Sequence, residues 1–171
     1  KCPCPYSVMS NGKKCGNKSA YSRPGGQQPL CYPADIRKQI SHDSLRIIDG
    51  DTIHLNGVKY RFHGVDAPEN KQICIKNSKE YSCGQEATRT LIKKINGQET
   101  VCKLQRALDR YKRHIGVCFS DGINLNQWMV RNGYAVAYRR YSKDYIKDEN
   151  YAKKNKIGLW GGNFIHPEKW R

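Results

Sequence analysis

Two short acidic runs in an otherwise basic chain place the strongest constraint on its fold. Asp49-Gly50-Asp51-Thr52 is followed fourteen residues later by Asp66-Ala67-Pro68-Glu69, so four carboxylates fall at two turns. The whole chain has only 15 Asp and Glu residues against 31 Lys and Arg. Carboxylates grouped in this way indicate that they share a cation or a polarised water as a partner. We therefore expect a fold in which the two runs converge.

The net charge of the chain points to a polyanionic partner. A formal charge of +16 over 171 residues creates a positive field that attracts phosphate backbones. Nucleic acid is the favoured partner, with a solvated basic surface or attraction to anionic lipid as the alternatives. The apolar fraction of 37% is enough for one modest core, which favours one domain with an appendage.

The cysteine content indicates an oxidising compartment. Eight cysteines form an even set that is dense for this length, which favours disulfides. The Cys-x-Cys pair and the wide gaps match no zinc knuckle, so zinc binding is the weaker interpretation. No apolar run approaches the ~20 residues that span a bilayer, so no membrane span is predicted. We expect a secreted or periplasmic protein whose leader peptide has been removed.

The first part of the chain differs in composition from the rest. Residues 1–34 are rich in Cys, Gly, Ser and Pro without sustained periodicity, so disulfides must tie this segment down. Its four cysteines allow three internal pairings, and bonds to the main body are also open; they are Cys2, Cys4, Cys15 and Cys31. We predict a Cys-rich N-terminal extension over residues 1–43 and a catalytic domain over residues 44–171.

Five short strands and three helices are predicted in the second part. Asn56-Gly57 favours a type I′ turn between two strands. Ser82 and Gln85 have the spacing of a capping box, and apolar residues then recur at helical spacing until Asn96-Gly97 ends the helix. The predicted strands are 45–48, 52–55, 58–65, 101–105 and 115–119, and the predicted helices are 82–96, 124–132 and 144–156.

This order of elements favours an α+β protein. Five short strands, with one helix after the third and more helices at the end, are typical of a small closed five-stranded barrel of the OB type. Cys102 and Cys118 are equally far from Arg110 at a hairpin tip, so they can lie opposite each other. Cys74 and Cys83 would close a short loop before the first helix. Each closure would stabilise the fold by about 2 to 3 kcal/mol.

Asp51 and Asp66 are the predicted metal ligands. Both are hard oxygen donors delivered by different turns, and no His or Cys stands beside them to favour a softer metal. Calcium fits best, with the backbone carbonyl of Ala67 as a third ligand and the rest of the shell left to water and a substrate phosphate. A tight Asp-Gly turn without a metal is the alternative interpretation of the first run.

Three charged residues near the predicted metal would carry the chemistry. Glu69 lies close enough in sequence to act on a water, so it is the candidate general base. Arg61 and Arg113 would present planar, permanently charged forks to a phosphorus that carries extra negative charge. Arg61 and Asp66 differ by five positions and would face opposite sides of a regular strand, so a bend is required, and Gly64 is its natural place.

These motifs resemble the staphylococcal (micrococcal) nuclease family. The resemblance covers about residues 44–162, and it rests on residues 48–52, 61–69 and 109–113 and on the closing Gly158-Leu159-Trp160. It implies a five-stranded OB barrel with three helices. It also implies calcium-dependent cleavage of phosphodiester bonds in DNA and RNA that leaves 3′-phosphate ends.

The resemblance assigns roles residue by residue. Asp51, Asp66 and Ala67 match the calcium ligands. Glu69 matches the general base, and Arg61 and Arg113 match the phosphate-binding arginines.

Further positions match or depart from the family pattern. Arg110 and Tyr111 match its contacts to nucleotide phosphate. Tyr138 and Tyr141 are candidates for stacking on bases, with packing inside the protein as the alternative. Lys112 stands where the family often has glycine.

The sequence therefore predicts a secreted, calcium-dependent nuclease of low specificity that acts on DNA and RNA. Glu69 would assist a water while Arg61 and Arg113 stabilise the transition state. A non-catalytic OB module that binds single strands is the alternative, because fold does not dictate function. A disulfide-stapled adhesin or toxin subunit is a second alternative, but it leaves the acidic pair without a role. No obligate protein partner is inferred.

Overall fold

Short strands and helices alternate along most of the chain. A computed structural model describes residues 13–15 and 44–171, and Ser44–Arg171 form one compact unit. The predicted extension over residues 1–43 lies outside the described residues apart from residues 13–15, and so do Cys2, Cys4 and Cys31. Cys15 is buried and disulfide-bonded.

The described residues contain ten strands and four helices. The strands are Leu45–Asp49 (β1), Thr52–Leu55 (β2), Val58–Phe62 (β3), Val65–Asp66 (β4), Cys74–Lys76 (β5), Lys79–Tyr81 (β6), Thr100–Leu108 (β7), His114–Ser120 (β8), Ile123–Asn124 (β9) and Val136–Ala137 (β10). The helices are Cys83–Ile95 (α1), Leu125–Arg131 (α2), Ile146–Lys154 (α3) and Pro167–Trp170 (α4), with a 3₁₀ turn at Gly158–Gly161. In this part of the chain no helix has the length and apolar character needed to cross a bilayer.

The five predicted strands form one sheet, except that the third, predicted over 58–65, ends at Phe62, and Val65–Asp66 form β4 in a separate ladder with β10. The order of the main sheet is β1-β2-β3-β8-β7, with β9 beside β8, and β3 and β8 are parallel while the other neighbours are antiparallel. The prediction of a closed barrel is wrong, because no ladder joins the edge strands β1 and β7 in the described residues. The register of β7 shifts on both sides of Arg106, and such irregularities bend an edge strand out of line for further pairing. The fold is an open, OB-like α+β sheet.

Helices cover one face of this sheet and complete the core. Ala87, Leu91 and Ile95 of α1 are buried at the helical spacing that the sequence predicts, and Leu125 and Met129 of α2 join them. Sheet residues supply the other half of the same cluster: Ile53, Phe62, Val65 and Cys118. The acidic turns lie at the edge of this packed layer, so their backbone is held by the core.

The ends of α1 agree with prediction in position but differ in mechanism. Asn96 has a φ of 44° and Gly97 a φ of 73°, so the left-handed stop is confirmed. The capping-box prediction is wrong, since the Ser82 side chain makes no capping hydrogen bond. Ser82 has φ −78° and ψ 80°, outside the usual geometry of a capping residue, and its carbonyl accepts from Glu86 N–H at 2.9 Å. This is the ordinary first hydrogen bond of the helix, and within the first turn Gly84 N–H donates to Gln72 O at 3.4 Å.

Both disulfides predicted in the main body are confirmed. Cys74 and Cys83 join the β5–β6 hairpin to the start of α1. Cys102 and Cys118 are direct neighbours in the β7–β8 ladder and are bonded to each other. No described cysteine is free.

A buried amide ties the sheet to α2. Asn126 Nδ2 donates to the carbonyls of His63 at 3.0 Å and Gly116 at 3.1 Å, and its Oδ1 accepts from Cys118 N–H at 3.0 Å. The side chain is fully buried. It therefore satisfies backbone groups at the point where β3 and β8 run side by side.

Replacing this amide should be costly. We expect Asn126→Ala to lower the free energy of unfolding by about 3 kcal/mol, because Cys118 N–H and His63 O lose this partner, whereas Gly116 O keeps its hydrogen bond from His63 N–H. Urea denaturation followed by circular dichroism measures the change. Asn155→Ala is the matched control, since that amide bonds only Tyr151 O on an exposed surface and should cost below about 1 kcal/mol. Equal losses in the two variants would contradict the assignment.

Candidate active site

The two acidic turns lie against each other, as the sequence predicts. Asp51 Oδ2 accepts a hydrogen bond from Ala67 N–H at 2.6 Å. The approach is so close that a Cβ at Gly50 would lie 2.8 Å from the Cβ of Ala67. Only glycine fits between the turns, so Gly50 is a condition for their convergence.

Arg61 bridges the carboxylates that the two turns provide. Its Nη1 lies 3.0 Å from Asp51 Oδ2, and its Nη2 lies 3.0 Å from Asp66 Oδ1. Nη1 also donates to the carbonyl of Val65 at 2.6 Å. The side chain of Arg61 is 8% exposed, that of Asp51 7% and that of Asp66 0%. The guanidinium of Arg61 is therefore buried, paired with two carboxylates and anchored to the backbone of Val65.

The bend predicted at Gly64 makes this contact possible. Gly64 has a φ of 68°, which lies in the left-handed region that favours glycine. After the bend the chain leaves β3 and forms β4, which pairs with β10 through Val136 opposite Asp66. Arg61 and Asp66 therefore belong to different ladders, and strand alternation no longer keeps them apart.

Burial is the largest influence on the ionisation of Asp51 and Asp66. Burial raises the pKa of Asp51 to about 6, although Arg61 lowers it and Asp49 raises it. Burial also raises the pKa of Asp66, against the lowering effect of its arginine partners. Within the described residues no group of three or more His, Cys, Asp or Glu side chains has metal-binding geometry. Any cation here would therefore take two carboxylates and depend on backbone or solvent oxygen for the rest.

Glu69 is positioned beside the pair by its backbone. The buried Gln72 accepts from Glu69 N–H at 3.2 Å through Oε1, and Gln72 N–H donates to Glu69 O at 2.7 Å. Gly84, at the start of α1, packs so tightly that a Cβ there would lie 1.8 Å from Glu69 O. The carboxylate itself is about one-third exposed. The backbone of Glu69 is thus held in place while its carboxylate stays accessible to solvent.

A second arginine, Arg171, occupies the open side of the cluster. Its Nη1 lies 3.0 Å from Asp66 Oδ1 and its Nη2 lies 3.1 Å from Asp66 Oδ2. Nη1 also donates to Glu69 Oε1 at 2.6 Å. Asp66 and Glu69 raise the pKa of Arg171, against the opposing effect of burial. The contact joins positions 105 residues apart, and no local pattern predicts it.

Arg113 lies outside this cluster. Its Nη2 is 2.8 Å and its Nε 2.9 Å from Asp109 Oδ2. No hydrogen bond or ion pair among the described residues joins it to Asp51 or Asp66. Asp109 is four residues away and also accepts from Arg113 N–H at 2.9 Å, so the nearer carboxylate takes the guanidinium. The expected direct approach of Arg113 to the acidic pair is not seen, and its catalytic role stays a prediction.

The rest of this hairpin tip is basic and aromatic. The guanidinium carbons of Arg110 and Arg113 lie 4.9 and 5.1 Å from the centre of the exposed Tyr111 ring. Lys112 has a φ of 58°, so it adopts the conformation that glycine would take more easily. His114, directly after the tip, pairs with Tyr60 of β3. The hairpin tip therefore begins beside the part of β3 that carries Arg61. Its cationic surface is distinct from the Asp51–Arg61–Asp66 cluster.

Two tyrosines border the acidic cluster. Tyr138 follows β10, and its N–H donates to Gly64 O at 2.9 Å. Burial raises the pKa of the Tyr138 phenol, with Glu168 and Asp66 adding to the effect. Its ring meets that of Tyr141 edge-on, with centroids 4.8 Å apart. The pair packs together and leaves Tyr141 half-exposed, so base stacking stays a prediction.

Sequence reasoning missed the residue that holds β10 in place. Glu149 is almost fully buried and accepts from Ala137 N–H at 3.1 Å and from Lys153 Nζ at 3.0 Å. It also pairs with Arg139. Because β10 is the partner strand of Asp66, Glu149 supports the site from behind. Acidic residues next to lysines on a helix look like surface pairs, and the sequence holds no sign of this burial.

Comparison with known proteins agrees with this geometry. The family model described as staphylococcal nuclease homologue matches residues 59–162, more than half of the chain. A relative from Escherichia coli O157:H7, named uncharacterized endonuclease, is 36% identical over 151 residues, which cover 83% of this chain and 88% of the relative. These matches extend well beyond the acidic and arginine motifs.

Two further relatives differ in name. A micrococcal nuclease from Shigella flexneri is 31% identical over 156 residues, 81% of this chain and 82% of the relative. The succinoglycan biosynthesis protein ExoI of Rhizobium meliloti is 36% identical over 118 residues, 67% of this chain and 61% of the relative. The names endonuclease and micrococcal nuclease among its relatives support a nuclease activity. The chain belongs to the staphylococcal nuclease family.

Proposed function

We propose that the chain is a calcium-dependent nuclease of low sequence specificity that hydrolyses phosphodiester bonds in DNA and RNA and leaves 3′-phosphate ends. The observation that carries the proposal is the buried Asp51–Arg61–Asp66 cluster with Glu69 at its open side. Family membership supports the reaction class. The net charge of +16 supports a polyanionic substrate.

The residues at this site fit a hard divalent cation. Asp51 and Asp66 offer carboxylate oxygens, and burial raises the pKa of both, so a cation bound there would favour their ionised form. Calcium would be held by these two carboxylates and the carbonyl of Ala67, and it would supply charge neutralisation and Lewis acidity toward a phosphate oxygen. The few protein ligands leave room for solvent and substrate, which suits catalysis more than structural binding.

The protein's own side chains divide the remaining work. Glu69, fixed through its backbone and reachable by solvent, would take the proton of the attacking water. Arg61 places a permanent positive charge where the phosphorane-like transition state gains negative charge. Arg113 would approach the phosphate from the hairpin tip, where it is one-fifth exposed. Substrate phosphate would then replace Asp109 as its partner.

The remaining contacts would bind the chain of nucleotides. Arg110 and Tyr111 form the basic and aromatic tip, and Tyr138 and Tyr141 border the acidic cluster. Aromatic rings accept any base, so such a surface favours binding without sequence preference. The disulfides Cys74–Cys83 and Cys102–Cys118 support an oxidising compartment, and we propose secretion or export to the periplasm.

Cleavage assays test the reaction and the ion together. We expect plasmid DNA and single-stranded RNA to be degraded with calcium and left intact with excess chelator, while circular dichroism shows the fold nearly unchanged, because the core and disulfides do not need the ion. Glu69→Gln should lower kcat by at least ~10²-fold. Binding of nucleic acid without cleavage under all conditions would instead support a non-catalytic module.

The hairpin arginine can be tested by separating turnover from binding. We expect Arg113→Ala to lower kcat by at least ~10²-fold while nucleic acid is still bound, because the lost charge acts mainly on the transition state. Arg46→Ala, on the exposed face of β1, is the matched control and should keep wild-type turnover. Unchanged turnover in Arg113→Ala would reject its assigned role.

The raised pKa of Asp51 predicts that calcium binding depends on pH. The ionised carboxylate is the ligand, so below pH 6, the region of its pKa, protons compete with calcium. The stability of the ion-free protein changes with pH in the opposite direction. Because the folded state holds the Asp51 proton more tightly than the unfolded state, the ion-free protein loses stability as pH rises from about 4 to 6. Thermal unfolding should therefore show a larger calcium-induced rise in Tm at pH 7.5 than at pH 5. Asp51→Asn should reduce the difference, with Asp66 retaining part of it because its pKa is also raised, and a pH-independent rise in the wild type would refute the prediction.

A further inference from the structure

Arg171 contacts Asp66 and Glu69, which the proposed function names as a calcium ligand and as the general base. It reaches both oxygens of Asp66, the proposed ligand, and one oxygen of Glu69, the proposed base. A fork on a carboxylate is the strongest kind of side-chain pair, and here the same guanidinium spans two carboxylates. No role for this residue follows from the reaction described above.

The two arginines of the cluster differ in how firmly they are held. Arg61 is 8% exposed, lies within β3 and is anchored to Val65 O at 2.6 Å. Arg171 is 38% exposed and follows α4, a four-residue helix in which only Pro167 is buried. Beyond Pro167, the ion pairs of the segment are those of Arg171 itself and one exposed contact at 3.5 Å between Glu168 and Arg140. Arg171 can therefore withdraw, whereas Arg61 cannot without disrupting the sheet.

The charges at the site favour a choice between Arg171 and a cation. Asp51, Asp66 and Glu69 face the guanidinium groups of Arg61 and Arg171, and Asp49 adds a further negative charge beside Asp51. The cluster is therefore net negative even with Arg171 in place, and release of Arg171 would make it more negative by one charge. Asp66 is fully buried, and Arg171 engages both of its oxygens. Arg61 and Arg171 already share Asp66 Oδ1, so calcium at this carboxylate would be a third cation, and the release of Arg171 would relieve its repulsion.

We propose that Arg171 is an internal competitor of calcium, which occupies Asp66 and Glu69 when the ion is absent and is released when the ion binds. This inference rests on the proposed function, because it assumes that calcium binds at Asp66. It makes Arg171 a stabiliser of the ion-free protein. It also makes the residue a determinant of the calcium concentration at which Glu69 becomes free.

Calcium titration and thermal unfolding of Arg171→Ala test the competition. If the ion must displace the guanidinium, the apparent affinity is reduced by the fraction of molecules in the open state, so the variant should bind calcium roughly tenfold more tightly by calorimetry. Its Tm should lie below that of the wild type without calcium, and the difference should vanish at saturating calcium. Arg171→Lys cannot span both carboxylates with a planar fork. Its calcium affinity and its Tm without calcium should lie between those of the wild type and Arg171→Ala.

Arg140→Ala is the matched control. Arg140 is an exposed arginine that pairs with α4 but makes no ion pair with Asp51, Asp66 or Glu69. Its removal should leave calcium affinity unchanged. If the wild type binds calcium but Arg171→Ala binds it equally or more weakly, or stays destabilised at saturation, Arg171 is merely structural and the inference alone is overturned. If neither protein binds calcium, the proposed function fails and the inference fails with it.

Discussion

The guanidinium of Arg61, shared between two buried carboxylates, is the interaction on which the rest of this structure depends. Buried acids without a partner are costly, and removing one member of such a cluster typically costs about 3–5 kcal/mol. Asp51 lies in the turn between β1 and β2, Arg61 in β3 and Asp66 in β4, so the ion pairs also specify how this turn and the two strands meet. The glycines at positions 50 and 64 serve this one contact. Gly50 lets the turns touch and Gly64 turns the chain between the arginine and its second carboxylate.

Around this cluster, buried polar side chains act on the backbone more than on substrate. Gln72 holds the Glu69 turn and donates to Ile165 O at 2.7 Å, which links that turn to the segment before α4. Asn126 joins α2 to the parallel strands, and Glu149 supports β10 behind Asp66. Each of these side chains gives buried backbone groups the hydrogen-bond partner that water would otherwise provide. Such supports explain how a small domain with a modest core keeps charged groups in fixed positions.

The parts of this structure that the sequence predicts are those determined by neighbouring residues. The turn at Asn56-Gly57, the bend at Gly64 and the stop at Asn96-Gly97 follow from backbone preferences, and each has positive φ in the structure. The Cys102–Cys118 bond follows from symmetric spacing about a hairpin. The convergence of Asp51 and Asp66 was inferred from their scarcity in a basic chain. Barrel closure and the position of Arg171 depend on contacts between residues far apart in the sequence, which no local pattern records. Arg113 pairs with a carboxylate only four residues away, Asp109, and its sequence neighbourhood alone does not tell whether such a local pair outcompetes a distant one.

The β7–β8 hairpin is fixed at one end and irregular near the other. Its base is crosslinked by Cys102–Cys118, while the register shifts beside Arg106 lie between that crosslink and the tip that carries Arg110, Tyr111 and Arg113. Bulges concentrate bending, and β8 stays paired with β3 from His114 to Gly116, so tilting would be confined to the turn that carries Arg110, Tyr111 and Arg113. Under the proposed function, such a turn would let its cationic side chains follow phosphates at different spacings while the acidic cluster stays fixed. Acceptance of both single strands and duplexes would then depend on this one turn rather than on a wide cleft.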